Sequence, residues 1–314
     1  MTHPTVVVLH DNASWLPPFE RAFAAQGAPW RALHVDDAVV DLDAPPPPGE
    51  VLWSRLSASA HTRGVRGAYE KADAVLGWYE RAGRRVVNGT AAAALEVSKI
   101  RQHAVLAAAG FDVPRTVAAG TVDALVAAGA SIGYPLITKH NRGGKGLGVR
   151  RVESAAELAA VAPDVLADAV DGIALVQELL VAPEPTITRH EFVGGRLHYA
   201  VRVDTSGGFE LCPAEACAVP GTTPARPLFE VRDDVRADDP FVVRLGELLV
   251  AAGVEVAGVE VIETLDGRAV PYDVNTNTNY NPDVEAQVPV PAAVAVVRWL
   301  TARADASHAS RPAA

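Results

Sequence analysis

The sequence predicts a protein of combined α/β and α+β class, with an N-terminal parallel α/β lobe followed by a longer strand-rich region. Two observations carry this reading. Short apolar runs alternate with helical patterns as far as Asn88, the signature of strands paired in parallel around crossover helices. Beyond that point strand-like segments dominate, and glycine turns join neighbouring arms. Length agrees: 314 residues, 49% apolar and 21% charged, are enough for two or three lobes with sizeable cores.

The elements follow in order. Val6 to Leu9 is the apolar run of a buried strand, and PFERAFAAQG (18–27) is a helix closed by Gly27. After the spacer Pro45 to Pro48 come a strand at 51–54, a helix at 67–83 and the strand RVVN at 85–88. No glycine fingerprint follows the first strand, which argues against a dinucleotide-binding lobe. Ser98 caps a helix that stops at Gly110. VPRTVAAG and a helix over 123–129 lead to the strand PLITKH (135–140), and Ser154 with Glu157 makes a capping box. ALVQELLV, TITRHEFV, LHYAVRV and VAGVEVIE are strands, and one helix opens at Asp239-Pro240 and ends before Gly253. The final DASHASRPAA reads as a frayed tail.

Charge and cysteine usage exclude several classes. A net charge of −10 is the wrong sign for a nucleic-acid or anionic-membrane binder. Two cysteines, Cys212 and Cys217, make no disulfide framework and lack the partners of a zinc site, so both are expected as buried thiols. The first residues lack the basic flank of a signal peptide, and VPVPAAVAVV (288–297) is about half a membrane span. The expectation is a soluble cytoplasmic protein.

Three segments carry chemistry. NRGGKGLGV (141–149) joins two strands, and Gly143, Gly144, Gly146 and Gly148 let the backbone turn its N–H groups towards an anion. Lys139, Arg142, Lys145, Arg150 and Arg151 surround it with no acid from 139 to 152, which favours a phosphate ligand. A Walker A loop is excluded, because glycine follows Lys145 and no helix opens there. A solvated basic hairpin is the alternative.

VAGVEVIETLDGRAVPYDVNTNTNYN (256–281) contains Asp266-Gly267, a two-residue hairpin turn. A symmetric turn sets Ile262 opposite Pro271, Glu260 opposite Asp273 and Gly258 opposite Asn275. Glu260 and Asp273 then form a non-hydrogen-bonded pair with Cα atoms roughly 4.5 Å apart. Opposed carboxylates destabilise a hairpin unless a cation lies between them, and a hard divalent ion such as Mg²⁺ suits oxygen ligands and phosphate. Period 2 puts Asn275, Asn277, Asn279 and Asn281 on the face of Asp273.

A second hairpin around Gly194-Gly195 sets Glu191 opposite His198 and Arg189 opposite Ala200, with Arg202 one pair further along. Arg189, Glu191, His198 and Arg202 then share a face able to hold a phosphate or carboxylate through arginine forks. In the first lobe the polar segment SRLSASAHTRG (54–64) follows a strand, where open α/β sheets place ligand crevices. Arg55, His61 and Arg63 are its candidate substrate contacts, with an ordinary surface loop as the alternative.

The basic glycine loop, the lysine ending the strand before it and the downstream acidic hairpin with Asp-x-Asn together resemble the ATP-grasp superfamily, most of all its RimK-like carboxylate–amine ligases. The resemblance spans roughly Asn88 to Gln287. It implies a pre-ATP-grasp domain over 1–88, a central subdomain over 89–180 bearing a glycine-rich lid, a C-terminal subdomain over 181–305 bearing a metal hairpin, and a tail over 306–314. It implies ATP contacts at Lys99, Lys139 and the lid, and an adenine hinge at QELLV (Glu178, Leu179, Leu180 and Val181 with Gln177). Glu184 is then the ribose acceptor, and Glu260, Asp273 and Asn275 bind one or two Mg²⁺ or Mn²⁺ ions. Arg189, Arg202 and Lys145 are the implied catalytic cations, and Asn277 and Asn279 join Arg55, His61 and Arg63 as substrate residues. The implied activity joins a small-molecule carboxylate, an amino acid or short peptide, to an amine through an acyl phosphate. A kinase on the same fold and a non-catalytic ATP-binding module are the alternatives. Three features depart from the RimK pattern: glutamate precedes Asp-x-Asn rather than aspartate preceding Glu-x-Asn, Thr186 stands where an aspartate is usual, and NTNTNYN replaces the common ending.

Overall fold

A computed structural model describes residues 5–144, 146, 148–208 and 227–309. Lys145, Cys212, Cys217 and 310–314 therefore lie outside the described residues.

The first lobe is a parallel sheet. β1 (Thr5–His10) lies between β2 (Trp30–His34) and β3 (Glu50–Arg55), and β4 (Arg85–Val87) follows β3. Its helices are α1 (Pro17–Ala25) and α2 (Ala68–Arg81). The sequence reading misses β2, an edge strand whose residues are at best half-buried and so show no apolar run.

α3 (Thr90–Glu96) and α4 (Lys99–Ala108) connect this lobe to the rest, with Ser98 Oγ capping α4 at Arg101 N. β5 (Thr116–Ala119), β6 (Leu136–His140), β7 (Arg150–Val152) and β8 (Ala174–Glu178) form an antiparallel sheet in the order β5-β8-β6-β7. α5 (Val122–Ile132) and α6 (Ala155–Ala167) pack together over it, burying Leu125, Leu158 and Val165 against Leu136 and Val176. Ser154 caps α6 by accepting Glu157 N on its Oγ, while the Glu157 carboxylate reaches back to Glu153 N, one residue before the N–H that a full capping box would use.

The third sheet runs β11-β10-β9-β12-β13: β9 (Thr186–Val193), β10 (Arg196–Asp204), β11 (Phe229–Val231), β12 (Val256–Glu263) and β13 (Ala269–Asn275). α7 (Pro240–Ala251) covers one face through Leu245 and Leu249 against Phe192 and Val259. After the single turn α8 (Pro282–Glu285), α9 (Ala292–Ala309) returns across the molecule to pack on α1, β1, β3 and β4. Val296, Val297 and Leu300 then share one core with Val6 and Trp53 of the first sheet, Phe23 of α1, and Tyr199, Val201 and Val256 of the third sheet. This shared core locks the first and third sheets together, and α9 continues into the segment expected to fray.

Both hairpins correct the expected registers. The 265–267 loop has three residues: Thr264 N donates to Arg268 O, and Gly267 takes the left-handed φ of 83° that this turn requires. Val261, not Ile262, is therefore opposite Pro271. An extra residue in β13, Tyr272, restores the count, so Glu260 still faces Asp273 and Gly258 still faces Asn275. In the second hairpin His198 is the bulged residue, and beyond it Glu191 faces Tyr199 and Arg189 faces Val201. A one-residue slip sends every later side chain to the other face. Arg202 is thus opposite Thr188 and does not share the face of Arg189.

Candidate active site

A cavity of about 540 Å³ is lined by residues of the second and third sheets and by first-lobe residues that follow β1 and β3. β6 carries Lys139 just before its last residue, α4 starts with Lys99, and β12 and β13 present Glu260, Asp273 and Asn275, all lining this one space. So do the loop glycines Gly143, Gly144 and Gly146, the segment from Glu178 to Val181, Glu184, Asn277 and Asn279.

The carboxylates are held by defined partners. Lys99 Nζ donates to Asp273 Oδ1 at 2.6 Å, and Arg189 Nη1 to Glu260 Oε1 at 2.9 Å. The bulged Tyr272 donates its hydroxyl to Glu260 Oε2 at 2.7 Å. Asn275 Nδ2 lies 3.4 Å from Asp273 Oδ2 and 3.5 Å from Glu260 Oε1, so the amide reaches both acids. Burial and the facing Asp273 raise the pKa of Glu260. Burial pushes Asp273 the same way, but Lys99 overrules it and leaves Asp273 lowered. The acids divide because each has a different cation.

Two opposed carboxylates with an amide between them form an all-oxygen donor set once the amide turns its Oδ1 inward, which suits a hard divalent cation. Among the described residues no group of three His, Cys, Asp or Glu is placed to hold a metal, so Asn275 is needed to complete this set.

Lys139 is the second cation of the cavity. It is 5% exposed, with its ammonium 5.9 Å from the Tyr272 ring centre. Burial, and then the neighbouring Lys99, lowers its pKa to about 7. A lysine poorly solvated and poorly paired is prepared for an anionic ligand.

Arg189 occupies a different position from the one expected of an open fork. It is 6% exposed, and Nε donates to Glu191 Oε1 at 2.6 Å, Nη1 to Glu260, and Nη2 to Thr278 Oγ1 at 2.7 Å. Burial opposes its charge, but Glu191 and Glu260 raise its pKa. Arg202 is absent from the lining: it is 40% exposed and paired with Glu230 at 2.9 Å, because the His198 bulge turns it outward.

The first-lobe candidates also differ from expectation. Arg55 is 2% exposed and outside the lining, as are His61 and Arg63. Arg55 donates to Asn277 Oδ1, Asn279 Oδ1 and the carbonyls of Trp15 and Thr278. Arg63 donates to Asp11 Oδ1 and Ser59 Oγ. The lobe instead presents Trp15, Ser57, Ala58 and Ser59. Gly148 packs against the His140 ring outside the lining, and Asn281 caps α8 rather than continuing the asparagine face.

Sequence reasoning missed Glu96, whose carboxylate lines the cavity and accepts Ala58 N, Thr276 N and Thr276 Oγ1. Burial raises its pKa. The signal was one acid among the apolar residues TAAAALEV, and nothing in that pattern says what it binds. Asp11 was missed too: it accepts Ser57 N and Arg63 Nη2, tying the two loops together.

No family model matches the chain. Over 100 residues it is 35% identical to a D-alanine–D-alanine ligase of Pseudomonas entomophila (strain L48), covering 32% of this chain. The match spans only 31% of that relative's length. Solved structures match more extensively. An ATP-grasp RimK domain protein from Sphaerobacter thermophilus superposes with a TM-score of 0.67 at 21% identity, over 94% of this chain and 98% of its own. The ATP-grasp ligase PsnB, complexed with a minimal precursor, gives 0.69 at 19%, over 96% and 99%. D-cycloserine synthetase DcsG gives 0.66 at 18%, over 95% and 99%. Over nearly its whole length, this chain has the ATP-grasp fold.

Proposed function

We propose that the protein is an ATP-dependent carboxylate–amine ligase acting on an amino acid or short peptide. The observation that carries this reading is the shared cavity: the buried Lys139 and the largely buried Lys99, a pair of opposed carboxylates with an amide, and the segment at the end of β8 line one space. Lys99 and Lys139 hold the phosphates of ATP, while the backbone at Glu178 to Val181 receives adenine and Glu184 the ribose. A substrate carboxylate oxygen attacks the γ-phosphorus and the bond to the β-phosphate oxygen breaks, giving an acyl phosphate and ADP. The amine then attacks the acyl carbon, loses a proton and displaces phosphate. This chemistry depends on positioning and charge neutralisation, not on a protein nucleophile. Glu260, Asp273 and Asn275 hold a divalent cation, which when bound neutralises phosphate charge. Arg189 orients Glu260 and does not grip the transferred group.

The test is ADP release from Mg·ATP across a panel of amino acids and dipeptides, D-alanine among them, with mass spectrometry of the products and Lys139→Ala as control. ADP formed in step with an amide is the expected result. A phosphorylated product without amide establishes a kinase, and nucleotide binding without turnover for any pair overturns the ligase reading.

Lys139 adds a pH signature. In the nucleotide-free protein its pKa is lowered to about 7, and phosphate favours the charged form. Binding of a non-hydrolysable ATP analogue at pH 8 is therefore expected to take up close to one proton. Affinity should fall with rising pH above that pKa, by at most about tenfold per pH unit. Calorimetry in buffers of different ionisation enthalpy measures the uptake, and Lys139→Arg should abolish it. Equal uptake in both proteins would assign the proton elsewhere.

A further inference from the structure

Asn277 is 9% exposed and lines the cavity, and its Nδ2 is buried without a hydrogen-bond partner. The two ends of an asparagine amide are ordinarily interchangeable in assignment, but here the neighbour decides. Arg55 Nε lies 3.0 Å from Asn277 Oδ1, and a guanidinium has only donors. Oδ1 must face Arg55, so the NH₂ faces away from it. Reversing the amide would set donor against donor.

Arg55 is itself immobilised. It is 2% exposed, stacks 4.4 Å from the Phe19 ring centre, and spends its other donors on Trp15 O, Thr278 O and Asn279 Oδ1. Three of its partners, Trp15, Asn277 and Asn279, line the cavity although Arg55 does not. An orphaned buried donor is costly in an empty site, and a ligand acceptor removes that cost.

Resting on the ligase reading, we infer that Asn277 Nδ2 donates to a carbonyl or carboxylate oxygen of the substrate bound against the first lobe, with Arg55 as the positioning residue that fixes its orientation. Asn277 is then a specificity-determining contact. It selects an acceptor and rejects a donor at that point, and Arg55 acts only through it and its neighbours.

Asn277→Asp is the discriminating change, since it keeps the shape and the Arg55 contact and replaces the donor by an acceptor. Side-chain amide NMR comes first, because it needs no turnover. The Asn277 NH₂ signals, assigned by their loss in Asn277→Asp, should shift when alanine or alaninamide is added to the complex with Mg²⁺ and a non-hydrolysable ATP analogue. A shift with both probes identifies a carbonyl oxygen, and one with alanine alone identifies a carboxylate. In whichever pair turns over, Asn277→Asp and Arg55→Lys should each raise KM for one co-substrate by about tenfold, the loss expected for one hydrogen bond, and leave ATP-analogue affinity unchanged. The double variant should lose little more than either alone. Unshifted Asn277 signals with both probes, or unchanged KM for both co-substrates in Asn277→Asp, would overturn the inference. Failure of all turnover with shifted signals would count against the ligase reading and leave this contact standing.

Discussion

Asp273→Asn is expected to lower turnover by on the order of 10³-fold, the scale seen when one group neutralising transition-state charge is removed. Asp273 stands directly opposite Glu260, and its Oδ1 accepts the Lys99 ammonium at 2.6 Å. Its pKa is lowered against the pull of burial because Lys99 stabilises the anion, so the native site contains a carboxylate there. The amide keeps the shape and removes the charge. Lys99 is then held less firmly, and the divalent cation proposed for this site would lose one of its two anionic ligands. Thermal stability should change little, since relief of the repulsion with Glu260 offsets the weaker hold on Lys99. The measurements are kcat at saturating ATP, a Mg²⁺ titration and thermal unfolding of the same preparation. Turnover within tenfold of the parent, with unchanged Mg²⁺ dependence, would remove Asp273 from the proposed metal site.

The largest stability effect is expected at Arg189. Its guanidinium is bonded at once to Glu191, Glu260 and Thr278, with side-chain exposures of 7% and 4% for Arg189 and Glu191. Arg189→Met leaves the buried Glu191 and the largely buried Glu260 without their common cation, and breaking a buried pair in this way costs about 3–5 kcal/mol. The urea midpoint should fall accordingly, and turnover should fall with it because Glu260 is released. Gly258→Val tests the same contact from the other side. A Cβ at Gly258 would lie 2.5 Å from Arg189 Nη2, and the three bonds of that guanidinium leave it no room to retreat. Parental unfolding midpoints for both variants would show that this network contributes nothing to the fold.

The hairpin shows how a sequence argument can reach the right pair through a wrong turn. Asp266-Gly267 marked the bend, and alternation marked Glu260 and Asp273 as facing. The loop has three residues and Tyr272 bulges, and these two departures cancel at Glu260. No side-chain pattern announces a bulge, because it is one backbone residue left out of the ladder. The same feature at His198 was not cancelled, and Arg202 moved to the opposite face.

What the sequence determined by itself is what depends on local spacing: the alternating first lobe, the Ser98 and Ser154 caps, the lysine near the end of β6, the glycine loop, and the two acids across one hairpin. Neighbours along the chain fix these through period and turn chemistry. The tertiary structure decided which distant groups meet. It buried Arg55 under the asparagine segment more than two hundred residues away, set Glu96 against Ala58 and Thr276, and brought α9 back onto the first sheet. Such contacts follow from how the first lobe's loops and the other two sheets close around one cavity, and a buried arginine satisfied by neutral oxygens looks, in sequence, the same as one awaiting a ligand.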